Sequence, residues 1–152
     1  MTLNRGLLTS NSDEWTTPRW LFDRLNERFQ FTLDAAATKE NALCRRWFTK
    51  EEDALQFCWD GERVFCNPPY SKIARWAKHF SEQAVNADLI VALVPARPDT
   101  AWWNDYIRTA DLIYFIRGRL RFGDSKNSAP FPSALAFWFG LEHICRRPKC
   151  PL

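Results

Sequence analysis

The chain has 152 residues, a formal charge of +3, 46% hydrophobic and 26% charged residues, the profile of one ordinary globular domain. No run approaches the roughly 20 apolar residues of a membrane-spanning helix, and a charge this mild neither requires nor rules out nucleic acid as a partner. Cys44, Cys58, Cys66, Cys145 and Cys150 form no CxxC pair and have no His at a zinc-like spacing, so no metal site is expected and the thiols are expected to be reduced and intracellular.

Residues 1–152 are expected to form a single domain with flexible ends at about 1–12 and 146–152. The opening stretch lacks the apolar core of a secretory leader. Pro18 suits the first turn of a helix, with Thr17 as its cap, and Leu21, Phe22, Leu25 and Phe29 follow at helical spacing. Phe31-Thr32-Leu33 reads as a short strand that ends at Asp34. Residues 35–58 are ambiguous; a helix carrying Leu43, Trp47 and Phe48, then a loop, is the expected reading.

Val64-Phe65-Cys66 is a brief apolar strand. Ser71 caps a helix to about Asn86 with Ile73, Trp76, Ala77, Phe80 and Ala84 on one face. The continuous apolar run Leu89 to Pro95 is a buried strand. Asp99 or Thr100 caps a short helix through Ile107, and Leu112–Ile116 and Ala134–Phe139 are further strands. Alternating strand and helix signals imply an α/β fold around a largely parallel sheet, with an antiparallel strand among the last two. Ligands of such sheets gather beyond the carboxyl ends of the strands, where Asp34, Asn67 and Pro95 fall. His79 and His143 are expected on surfaces or helix faces, and Trp102-Trp103 is expected to pack.

The stretch Asn67-Pro68-Pro69-Tyr70 follows the short strand directly. Two prolines fix successive φ angles and remove two backbone donors, and Pro68 keeps Asn67 extended. The Asn67 amide oxygen and the Pro68 carbonyl can then converge on a group that donates two hydrogens, a primary amine or amide NH2. Tyr70 can stack on the planar group bearing it. A rigid proline turn with a capping Asn is the plainer reading of a bare Asn-Pro-Pro.

With DEWTTPRWLFDRL (13–25), FTLDAAATKENALC (31–44), RVFCNPPYS (63–71), LVPARPDTAWW (93–103), GRLRFG and NSAPFPSALAFWF (118–139), the chain resembles the phage-type, Dam-like DNA N-6-adenine methyltransferases. The likeness runs from about Asp13 to Phe139. Asn-Pro-Pro-Tyr alone is shared with enzymes that methylate protein glutamine or RNA bases. The resemblance implies a Rossmann-like methyltransferase fold, mostly parallel, with helices on both faces of the sheet. It implies S-adenosylmethionine as cofactor, double-stranded DNA with a flipped base as substrate, and the cytoplasm, that of a bacterial host for a phage-encoded chain. An RNA or protein-glutamine acceptor and a non-catalytic DNA-binding relative are the alternatives.

By the same resemblance, Asn67, Pro68, Pro69 and Tyr70 hold the target amine and base. Trp15, Thr16, Thr17 and Pro18 line the methionine end of the cofactor, Asp34 stands at the cofactor-binding first motif, Asn67 borders the cofactor as well, and Asp53 meets the cofactor adenine. Ala35-Ala36-Ala37 stands where many methyltransferases carry glycines, so this loop is expected to take another shape. Arg117, Arg119 and Arg121 alternate; on a continued strand they would form one phosphate-facing row. Residues 123–132 read as a loop beside that row that can close on substrate.

Overall fold

The computed structural model describes residues 15–140. The two ends read as flexible, together with Asp13, Glu14, His143, Cys145 and Cys150, lie outside the described residues. The architecture is mixed α/β. Six strands, β1 (Leu33–Asp34), β2 (Arg46–Trp47), β3 (Arg63–Cys66), β4 (Leu89–Pro95), β5 (Leu112–Phe115) and β6 (Ser133–Phe139), form one sheet. Its spatial order is β2-β1-β3-β4-β6-β5. Three helices accompany it among the described residues: α1 (Arg19–Phe29), α2 (Ile73–Gln83) and α3 (Ala101–Asp105).

β2, β1, β3 and β4 run parallel, with Leu33 opposite both Arg46 and Val64, and Val64 opposite Ile90. β6 enters antiparallel between β4 and β5, with Leu89 opposite Phe139 and Leu112 opposite Phe137. The expected antiparallel strand is therefore β6.

All seven residues of β4 are buried, as its unbroken apolar sequence requires. Because side chains alternate across a strand, β4 feeds two cores. Ile90, Ala92 and Val94 join Trp76, Ala77 and Phe80 of α2 and Trp103 of α3. Leu89, Val91 and Leu93 join Leu21 and Phe22 of α1 with Phe65, Leu120, Phe122 and Phe131. Helices thus cover both faces, and Trp103 packs as expected.

Several local expectations need correction. Thr17 does not cap α1: Pro18 is the residue before the helix, which has no side-chain cap bond, and the Thr17 hydroxyl is engaged by Asn67. Tyr70–Lys72 form a 3₁₀ turn before α2, so Ser71 lies within that turn and Lys72 precedes the helix. Residues 35–58 contain no α-helix. Phe48 donates its N–H to the Asp34 carbonyl at 3.0 Å and Ala37 donates to Phe48 at 3.0 Å, so the segment pairs with β1 instead of winding on itself. His79 is buried on α2, edge-on to Trp59 at 4.7 Å, and that burial lowers its pKa.

Candidate functional site

The chain leaves β1 to one side to form β2 and returns to form β3 on the other, so neighbouring connections diverge at the carboxyl ends of β1 and β3. This is where open sheets leave a crevice. A cavity of about 590 Å³ lies there, lined by Trp15, Thr16, Thr17, Asp34, Asp53, Asn67 and Pro69 among others. The volume falls within the range of about 300–1,000 Å³ usual for small-molecule sites. Of the sequence-derived candidates, Pro18, Pro68, Tyr70 and the three arginines are not on its wall. Pro68 is fully buried.

Asn67 extends from the end of β3, where Pro68 and Pro69 restrict the backbone. Its side-chain nitrogen donates to the Trp15 carbonyl and, at 3.0 Å, to the Thr17 hydroxyl. A backbone carbonyl can only accept, so the amide nitrogen must face Trp15, which settles the otherwise ambiguous amide orientation. Oδ1 is left buried and without a partner. A buried acceptor of this kind costs about 1–3 kcal/mol unless something donates to it.

Among the described residues, six buried side-chain nitrogen or oxygen atoms lack a hydrogen-bond partner, and three of them are Trp15 Nε1, Asn67 Oδ1 and Tyr70 Oη. Trp15 and Asn67 line the cavity and Tyr70 packs against Trp15, so these three atoms lie at or next to it; Trp59 Nε1 and His79 Nε2 are a second neighbouring pair, outside it. Tyr70 lies near-parallel to Trp15 at 6.5 Å and edge-on to Phe131 at 5.4 Å. Phe122 and Phe131 both meet Trp15 edge-on, at 5.3 and 5.1 Å. The aromatic cluster fixes both Trp15 and Tyr70, and burial raises the Tyr70 hydroxyl pKa, so the group stays neutral.

Asp34 ends β1 and is almost fully buried. Desolvation lifts its carboxyl from 3.8 to about 6, against the opposing pull of two backbone donors. Those donors are Leu43 N–H at 3.1 Å and Ala36 N–H at 3.4 Å, one on each oxygen. Ala35–Ala37 keep ordinary negative φ; the non-glycine residues with positive φ among the described residues are Gln30 and Asp53. The loop is thus held by a carboxylate, where a glycine-rich loop would be shaped by φ > 0. That is the other shape its composition called for.

Asp53 sits at φ 48°, a strained region for a side chain with a Cβ. Its Oδ1 accepts from Leu55 N–H at 3.3 Å, and its Oδ2 stands 4.0 Å from Arg75 Nη2. Arg75 and Lys72 also line the cavity; the sequence reading missed both. Their signal was position, since each falls within eight residues of Asn67, Lys72 in the 3₁₀ turn and Arg75 in α2 that follow the prolines.

The arginine row needs correction. β5 ends at Phe115 and Gly118 adopts φ +79°, so a turn separates Arg117 from the other two. Arg119 and Arg121 do alternate with buried Leu120 and Phe122, leaving all three arginines exposed. The segment is tied to the cavity rim by the Gly123 N–H, which donates to the Thr16 carbonyl at 2.8 Å. The loop at 123–132 is anchored at its far end by buried Ala129 and Phe131.

Residues 5–136 match the family model described as DNA N-6-adenine-methyltransferase (Dam). The chain is similar to a DNA N-6-adenine-methyltransferase of Escherichia phage T1, 33% identical over 130 residues, which cover 84% of this chain and 55% of that protein. It is also similar to a DNA N-6-adenine-methyltransferase of Haemophilus phage HP1 (strain HP1c1), 28% identical over 117 residues, 74% of this chain and 68% of that one. The chain thus spans little more than half the length of the phage T1 protein. On the extent of the family match, the chain belongs to the DNA N-6-adenine-methyltransferase (Dam) family.

Proposed function

We propose that this chain transfers a methyl group from S-adenosylmethionine to the N6 amine of adenine in double-stranded DNA, with the target nucleotide turned out of the helix. The observation that carries the reading is the Asn67 amide, anchored through its nitrogen so that Oδ1 is presented, buried and unpartnered, at the cavity edge. A neutral acceptor placed there takes a hydrogen bond from an exocyclic amine and orients it without removing its proton. Pro68 and Pro69 hold that acceptor in place at little entropic cost, since their φ angles are already fixed.

The cavity suits the cofactor. Its volume accepts a nucleoside-sized ligand, its floor at Ala35–Ala37 is small-chained, and its carboxylates offer acceptors for hydroxyl and amine donors. Trp15, Thr16 and Thr17 would hold the methionine end, Asp34 the middle, and Asp53 the adenine. When bound, S-adenosylmethionine supplies a methyl group on a sulfonium. On this reading the sheet is a Rossmann-like methyltransferase sheet, the chain works as one domain, and it acts in the cytoplasm of a bacterial host.

Extruding a base costs a few kcal/mol. Tyr70 would offset about 1–3 kcal/mol of that through ring contact, and its contacts with Trp15 and Phe131 hold the ring in place. Arg119 and Arg121, beside the rim, would meet backbone phosphates, with Arg117 near them.

The test is transfer of labelled methyl to DNA, RNA and protein in parallel, followed by nucleoside analysis. Label on N6-methyladenine in DNA supports the reading; label confined to RNA or to protein overturns it.

A further inference from the structure

Among the described residues, β5 forms an open edge of the sheet. Leu112 and Tyr114 on one face of β5 and Phe115 on the other are 49%, 57% and 59% exposed, so this strand shows apolar side chains on both sides of the edge. The other exposed large apolar residues among those described, Trp20, Phe57 and Val85, are scattered. Edge strands are ordinarily blunted by a charge, a proline or a bulge within their length, and Leu112–Phe115 contains no charge or proline. Such a surface is a pairing site in waiting.

The backbone is set for it. Ile116 N–H donates to the Ser133 carbonyl at 3.0 Å, one step beyond the Phe115–Ala134 register. Bonded and non-bonded positions alternate in an antiparallel ladder. Leu112, Tyr114 and Ile116 therefore turn their amides toward β6, while Ile113 and Phe115 turn theirs outward to the open edge.

Around Tyr114 the sequence reads Asp111-Leu112-Ile113-Tyr114-Phe115-Ile116-Arg117. Folded back on itself at Tyr114, it sets Ile113 opposite Phe115, Leu112 opposite Ile116 and Asp111 opposite Arg117. Apolar meets apolar, the outward amides of Ile113 and Phe115 meet each other, and opposite charges meet at both ends. Asp111 is held against β6, its N–H donating to the Phe137 carbonyl and its Oδ2 accepting from Phe139 N–H, each at 2.8 Å, so the outward alternation starts at Ile113 and Oδ1 is the oxygen left for the partner's Arg117.

We propose that β5 pairs antiparallel with β5 of a second copy of this chain about a two-fold axis at Tyr114, making one continuous sheet across a homodimer. The contact is isologous, the same patch on both copies, and so closes after two. In the dimer Arg117 faces the partner's carboxylate, leaving Arg119 and Arg121 as the cavity-side arginines.

Sedimentation velocity over a hundredfold range of loading tests this. The expected result is a species of twice the 17.9 kDa chain mass that dissociates on dilution. Tyr114→Lys should sediment at the single-chain mass with cooperative melting and methyl transfer retained. Asp111→Lys and Arg117→Glu should each shift to the single-chain mass, because each places like charges in register, and an equimolar mixture of the two should recover the doubled mass. Wild-type protein at the single-chain mass at every loading, a doubled mass that survives Tyr114→Lys, or a mixture that fails to recover it overturns the pairing. Should Asp111→Lys fail to fold, the masses of the Tyr114 and Arg117 variants decide alone.

Discussion

The Thr17 hydroxyl accepts a 3.0 Å hydrogen bond from the side-chain amide of Asn67, 50 positions further along the chain. Thr17 lies on the cavity wall, so a cavity residue also sets the rotamer of the group proposed to hold the amine. Thr17→Val keeps the shape and deletes the acceptor. One lost hydrogen bond is worth about 1 kcal/mol, so stability should fall by about that much and turnover by up to about fivefold. Thr17→Ser should restore most of it. A stopped assay of kcat for the three proteins checks this; equal kcat for the Val and Ser variants would remove the positioning role.

Asn67→Ala deletes the buried acceptor itself. Losing one preorganised polar contact to the reacting group typically costs about 10²–10³ in kcat. The expected result is a fall of that size with cofactor affinity changed only a few fold, because the remaining lining residues stay in place. Turnover and calorimetric affinity measured on one preparation separate the two effects. A variant that turns over normally would show that the amine is held by something else.

The parts of this fold legible in the sequence are those with strong, local causes. Leu89–Pro95 could only be a buried strand, and the rigid turn at Asn67–Tyr70 announced itself through two prolines. What escaped was set by partners distant in sequence. Thr17 looked like a helix cap because a hydroxyl before a proline usually is one; its actual partner comes from the end of β3. Residues 35–58 looked helical because Leu43, Trp47 and Phe48 are apolar, yet the Asp34 carbonyl and carboxylate draw Phe48 and Leu43 onto the end of β1. The arginine row required β5 to continue, but the strand ends at Phe115 and the positive φ of Gly118 turns the chain between Arg117 and Arg119. Arg75 was missed because helical periodicity shows which face is buried, not which exposed residue overlooks a cavity.

Arg119 and Arg121 share one exposed side of the segment tied to the cavity rim. If both meet phosphates, each contributes counterion release, and the slope of log affinity against log salt changes by about 1 per contact. Replacing both with Gln should reduce the slope by about 2 and weaken DNA binding at low salt, with cofactor affinity untouched. Fluorescence anisotropy on a labelled duplex at several salt concentrations measures both. An unchanged slope would place the phosphate contacts elsewhere.

Asp34 makes a prediction about pH that is independent of catalysis. Burial raises its carboxyl to about 6 in the folded protein from 3.8, so over that interval the unfolded chain gives up its proton first. The folded state binds more protons, and stability must fall as pH rises through this window. The sign is opposite to that of a salt-bridged aspartate. A shift of this size corresponds to about 3 kcal/mol, fully expressed above pH ~6 and absent below ~4. Asp34→Asn removes the ionisation and keeps one acceptor for the two backbone donors, Leu43 and Ala36. It should therefore be the less stable protein near pH 4, where it has lost a hydrogen bond and gained nothing. Relative to wild type it should gain about 3 kcal/mol by pH ~8. Urea unfolding of both proteins at the two pH values measures the difference directly, since every other titrating group is common to both. A difference that stays constant with pH would mean that Asp34 ionises in the folded protein as easily as in the unfolded chain, and its buried place at the end of β1 would have to be explained by its hydrogen bonds alone.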